Sequence, residues 1–152
     1  MVAVESAAEG IAIYKSGFPF GETVERVTEA IQAAGMQIFA HIDHAAAARE
    51  AGLDMEPALV LIYGSAARGT PVMNSVPLVA LDLPLRVLIR ADQSGTCSIA
   101  FRPVVPLLYC AGVRMATAMT FEAAQTTLAT AIAGGDGLPS TATAPLARRK
   151  AR

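Results

Sequence analysis

The chain has 152 residues, of which 53% are hydrophobic and only 16% charged, and its formal net charge is −1. That length fits one domain with a core large enough to need no disulfide or metal staple, and no run approaches the ~18 apolar residues of a membrane span. Residues 137–152 hold Arg148, Arg149, Lys150 and Arg152 and no acid, so a +4 tail leaves the rest at −5, which suits no general phosphate-backbone binder.

The first ten residues, MVAVESAAEG, have neither a basic n-region nor an apolar h-region, and no secretory signal is expected. Residues 10–15, GIAIYK, then read as a short strand bounded by Gly10 and Gly17. From Gly21 the period changes. Val24, Val27, Ala30, Ile31 and Ala34 share a helical face, Glu22 and Glu25 sit in the first turns, and Gly35 is placed to end the helix in the left-handed conformation. Residues 36–43, MQIFAHID, alternate, so Met36, Ile38, Ala40 and Ile42 are expected on one face, and Gln37, Phe39, His41 and Asp43 on the other. Asp43 is a natural cap for a short Ala-rich helix that Gly52 closes.

Pro57 opens the next strand, ALVLIYG, which is apolar on both faces and therefore central. A crossing over 64–83 follows, punctuated by Gly and Pro. Residues 84–92, PLRVLIRAD, then alternate, with Leu85, Val87 and Ile89 opposed to Arg86, Leu88 and Arg90. Asp92 to Gly95 is a turn signal, and 96–102 is the paired strand of a hairpin. Residues 104–113 contain Pro106 and read as irregular or as a broken helix. Thr120 is a candidate cap for a helix to about Ala133, with Phe121, Ala124, Leu128 and Ile132 as its apolar stripe. The order β-α-β-(short α)-β-β-β-α gives an α+β domain over 1–135, a mostly antiparallel sheet with helices on one face, followed by a disordered basic tail over 136–152.

Gly64 to Thr70, GSAARGT, has the two glycines of a phosphate-binding loop but lacks the Lys before Thr70 that would meet the outer phosphates. What remains is a helix start at Thr70-Pro71, whose amides with Arg68 offer an anion site, or simply a capped turn. His41 and His44 are the only histidines. With Asp43 they could begin a metal site, but the spacing matches no closed zinc pattern, and an ordinary strand-helix corner explains them as well. No nucleophile elbow is present around Ser65 or Ser75. Asp82, before Leu83-Pro84, suits a lock on the following strand or a pocket acid beside the His44 corner. Cys97 and Cys110 make no framework and read as free thiols of a reducing cytoplasm.

Three segments, IFAHIDHAAAAREAGL (38–53), LVLIYGSAARGTPVM (59–73) and PLVALDLPLRVLI (77–89), resemble the domain of unknown function 302 family over about residues 10–103. The resemblance implies a TATA-binding-protein-like α+β fold with a curved antiparallel sheet, and a homodimer. It brings no established reaction, so no catalytic residue, cofactor or metal is assigned. Asp43, His44, Gly64, Gly69, Thr70, Pro71, Asp82, Leu83 and Pro84 fit the family pattern. Members tend to follow the last strand with an Asn-Asp-Pro-like turn and a His-bearing helix. Here 101–106 reads FRPVVP and no His follows.

The function expected is a small dimeric, non-enzymatic module. It would bind a small ligand or anion in a cleft formed by Asp43, His44, Gly64, Arg68, Gly69, Thr70 and Asp82. The alternatives are a metal-assisted or acid–base enzyme using His44 and Asp82, and a structural or interaction protein. Neither nucleic acid nor membrane is expected as a partner.

Overall fold

The computed structural model describes residues 10–134. The first nine residues and the basic tail at 136–152 lie outside the described residues, as does residue 135 of the expected domain. Five strands, β1 (Ala12–Lys15), β2 (Gln37–Asp43), β3 (Ala58–Gly64), β4 (Leu85–Ala91) and β5 (Cys97–Phe101), form one sheet in the order β1-β5-β4-β3-β2. Every neighbouring pair is antiparallel. Six helices accompany it: α1 (Phe20–Ala33), α2 (His44–Glu50), α3 (Ala66–Ser75), α4 (Val104–Cys110), α5 (Met115–Met119) and α6 (Ala123–Ala131). A 3₁₀ turn, Pro77–Leu81, joins α3 to β4. The α+β class with a mostly antiparallel sheet is the one the strand and helix periods predict.

The sheet has an inner and an outer face. Leu61 and Tyr63 of β3, Leu85, Val87 and Ile89 of β4, and Cys97, Ile99 and Phe101 of β5 alternate onto the inner face and are buried. There they meet Val27 and Ile31 of α1, Val72 of α3, Val104 and Leu108 of α4, and Leu128 and Ile132 near α6 in one cluster. Each fully buried Leu, Ile or Val contributes about 1.5–3 kcal/mol, so this cluster dominates the fold's stability. On the outer face the apolar residues of the middle strands are half-buried, Lys15, Arg86 and Arg90 are exposed, and none joins that cluster.

Local rules explain most boundaries. Gly35 adopts φ +72° and ends α1. The Asp43 carboxylate accepts the Ala46 amide at 2.8 Å and caps α2. At the hairpin, the Asp92 carboxylate accepts from the Ser94 hydroxyl and from the amides of Ser94 and Thr96, which holds its carboxyl below the usual range. Gly95, at φ +82°, completes that turn.

Two expectations are corrected, and one is decided between its alternatives. A β-bulge at Phe39 interrupts the alternation of β2: Ile38 pairs with inner-face Tyr63, whereas Ala40 and Ile42 pair with outer-face Ile62 and Val60. One extra residue in a strand turns every later side chain over. Of the two readings of residues 104–113, irregular or a broken helix, the helical one holds: α4 ends at Cys110 with Ala111 as its C-cap, Gly112 follows at φ +99°, and α5 comes next. Thr120 does not cap α6, because its hydroxyl donates back to the Thr117 carbonyl at 2.7 Å. The expected stripe nonetheless holds, with Phe121, Ala124, Leu128 and Ile132 all buried.

Gln125 is a buried polar residue that ties the end of the sheet to the helices. Its side-chain oxygen accepts the Val104 amide at 2.8 Å, and its side-chain nitrogen donates to the Arg102 carbonyl at 2.7 Å. Gln125→Leu keeps the volume but orphans both backbone groups. The expected outcome is a loss of about 2–4 kcal/mol, read as a lower urea midpoint at unchanged slope. A loss below ~0.5 kcal/mol would mean that water replaces both bonds.

Candidate functional site

Tyr63 of β3 lies opposite Leu85 of β4, so the crossing over 64–84 leaves and returns at the same end of the sheet. Its first helix starts at Ala66, not at Thr70 as the Thr-Pro pair suggests. The Ser65 carbonyl accepts the amides of Arg68 at 3.2 Å and Gly69 at 2.8 Å, which begins the first turn four residues earlier. Thr70 and Pro71 therefore lie inside α3, where Pro71 leaves one helical bond unmade. Gly69 is buried in that helix, and a Cβ there would meet Met73 and Leu83 side chains at ordinary contact distances of 3.6 and 3.9 Å. Gly64 ends β3 and Gly69 lies inside α3, so the two do not share a loop ahead of a helix start.

They border a cavity instead. A hollow of about 280 Å³ lies between α3, the Gly64 end of β3, the start of β4, and the Phe121–Ala124 turn into α6. Met36, Phe39, Met73, Leu83 and Phe121 supply apolar walls, and Ser65, Arg68 and Thr70 supply its polar groups. The Phe39 bulge contributes directly: the ring edge comes within 3.8 Å of where a Gly64 Cβ would stand. Among the described residues no carboxylate lies within 4 Å of the Arg68 guanidinium, the one ion pair being Arg26–Glu22.

Four of the seven sequence-predicted residues, Gly64, Arg68, Gly69 and Thr70, thus share one cavity. Asp43 and His44 do not join them. Gln37 pairs with Gly64 and Asp43 with Leu59, so the His44 corner lies at the other end of the β2–β3 ladder, roughly 17 Å away along the strand. His44 is exposed, and Asp43 is committed to the α2 cap. Asp82 is half-buried and lines a different hollow of about 560 Å³, together with Arg86 and Arg102. No hydrogen bond to its carboxylate is found among the described residues; its backbone amide bonds the Val79 carbonyl at 2.9 Å. His44 and Asp82 share no pocket, and this pair does not assemble for acid–base work.

Phe39, Met73 and Phe121 were missed by sequence reasoning. Only the bulge, which no alternation shows, and contacts distant in sequence bring them together. Among the described residues no group of three or more His, Cys, Asp and Glu is placed to share a metal ion. Burial pushes the Cys97 thiol up, while Cys110 is exposed.

Comparison with known proteins places this geometry in a family. Residues of this chain are 38% identical over 86 positions to "Fluoride-specific ion channel FluC 1" of Brucella suis biovar 1 (strain 1330), covering 57% of this chain and 34% of that protein. The protein of the same name from Brucella abortus biovar 1 (strain 9-941) matches at 38% over 86 residues, covering 32% of its length. The match to these curated relatives therefore spans about a third of their length. No helix among the described residues is long and apolar enough to cross a membrane. A crystal structure of an uncharacterized conserved DUF302 protein from Bacillus stearothermophilus shares the fold, with TM-score 0.70 and 21% identity, over 82% of this chain and 97% of that one. The family model described as "Domain of unknown function DUF302" matches residues 13–134, and the chain belongs to that family.

Proposed function

We propose that the protein is a non-enzymatic binding module whose ligand is a compact apolar molecule bearing one anionic group. The observation that carries this reading is the hollow at the Gly64 end of β3: apolar walls, with Arg68 unpaired by any carboxylate among the described residues. Ligand sites combine an apolar enclosure with few polar groups in this way. Arg68 supplies a planar fork suited to a carboxylate, and Ser65 and Thr70 add hydroxyls. Benzoate is a suitable probe. Titration calorimetry is expected to show binding to the natural chain, weakened roughly tenfold in Arg68→Gln by loss of a charged hydrogen bond. Met73→Trp, which fills the hollow, should bind none while keeping its circular dichroism. No heat with benzoate or other compact aromatic acids would sink this reading.

The cytoplasm is the compartment we propose, from two unpaired thiols. The partner we propose is a second copy of the chain. Leu78 and Leu81 of the 3₁₀ turn are 76% and 79% exposed, and Tyr109, Met115 and Met119 of α4 and α5 are also exposed. The two regions adjoin, since a Cβ on Gly112 would stand 3.9 Å from Val76. Contiguous large apolar side chains of this kind mark association surfaces. Sedimentation at micromolar concentration should give a dimer for the natural chain and a monomer for the double variant Leu78→Asp, Leu81→Asp. A natural chain that sediments as a monomer would remove this partner.

A second reading is favoured by the match to proteins named as fluoride-specific ion channels. The module would then work beside a membrane channel. The chain should co-sediment with liposomes holding a reconstituted fluoride channel and stay in the supernatant with empty ones. Equal recovery from both would end that reading.

A further inference from the structure

We propose that the outer face of the sheet carries a second site, for a monocarboxylate with an elongated apolar body, held by Arg86 and Arg102. Register fixes what stands on that face. Ile13, Ala100, Leu88, Val60 and Ile42 pair in turn across all five strands and make a continuous apolar row. On one side of it, Arg86 pairs with Ile62, and Arg102 stands one residue past the end of β5. On the other side, Lys15, Ser98, Arg90 and Ala58 pair in turn. The face therefore has an apolar middle flanked by four cations, and no Asp or Glu at any of these positions, although the chain's net charge is −1.

At the Arg86–Arg102 end the face deepens into the hollow of about 560 Å³, within the usual range of small-molecule sites. Val60, Leu88, Ala100 and Leu107 give it an apolar floor and wall. Among the described residues no carboxylate lies within 4 Å of either guanidinium. Gln125 fixes the backbone that presents Arg102 by donating to its carbonyl.

The charges select the ligand. Two guanidiniums and the Asp82 carboxylate leave the hollow at +1. A monoanion neutralises that charge, whereas a doubly charged phosphate would leave an excess beside Asp82. Two planar forks suit a carboxylate head, and the apolar row receives the body. A second copy of the chain is a poor occupant, because stacking this face on itself sets four cations against four. A single strand of nucleic acid is also poorly served, since among the described residues no aromatic ring stands at these paired positions for a base to stack on.

The probe is dodecanoate, titrated below its micellar concentration into the full chain. Expected are saturable binding to the natural chain, much weaker binding of dodecanol, and roughly tenfold weaker dodecanoate binding in Arg86→Gln and in Arg102→Gln. Both arginines are exposed, so neither substitution threatens folding. Arg68→Gln, in the other hollow, should leave dodecanoate binding unchanged. No binding to the natural chain, equal affinity for dodecanol, or loss in Arg68→Gln with Arg86→Gln unaffected would each overturn the proposal.

Discussion

The pairing of β3 with β4 is the constraint on which the rest of the structure depends. Its register, from Ala58 opposite Arg90 to Tyr63 opposite Leu85, fixes two things together. It sends Leu61, Tyr63, Leu85, Val87 and Ile89 to the inner face, where the helices close over them. It also forces the crossing over 64–84 to begin and end at adjacent points, so α3 and the 3₁₀ turn fold over one end of the sheet rather than spanning it. A slip of one residue would put Arg86 and Arg90 into the core and expose Val87 and Ile89. Unpaired buried guanidiniums are costly enough to exclude that alternative.

Both hollows follow from this crossing. The smaller one lies where α3 stands off from the Gly64 end of β3, with neither glycine carrying a Cβ to fill it. The larger one lies where the outer face runs to the same end of the sheet, beneath the Arg102–Val104 link that Gln125 holds. Antiparallel sheets covered on one side normally present polar residues on the other. Here the uncovered side has polar ends and an apolar centre, an arrangement that leaves apolar surface in water unless something covers it.

Much of this was legible in the sequence because it is local. The boundaries of β3 are those its apolar run and Pro57 predict, and the alternation of β4 sorts Arg86, Leu88 and Arg90 onto one face. The Gly35 stop, the Asp43 cap and the Asp92–Gly95 turn each follow from one residue's chemistry. What was not legible depends on partners distant in the chain. The Phe39 bulge exists only in relation to β3, and nothing in MQIFAHID breaks the alternation. Thr70-Pro71 satisfies the local rule for a helix start, but the Ser65 carbonyl gathers two amides and starts the helix earlier. Gln125 reads as a surface residue of an amphipathic helix until its two backbone partners, 21 and 23 residues away, are known.

The candidate site shows the same division. Gly64, Arg68, Gly69 and Thr70 lie within seven residues, so the fold could hardly avoid bringing them near one another. His44 and Asp82 were joined to them through an assumed corner, which strand direction excludes: β2 carries the chain away from Gly64 before reaching His44. Asp82 stands at the correct end but lines the other hollow. Leu85 borders both hollows and is itself buried, so a wall about one side chain thick separates them. Arg68 and Arg86 therefore face different hollows across that wall. Each has its own apolar enclosure.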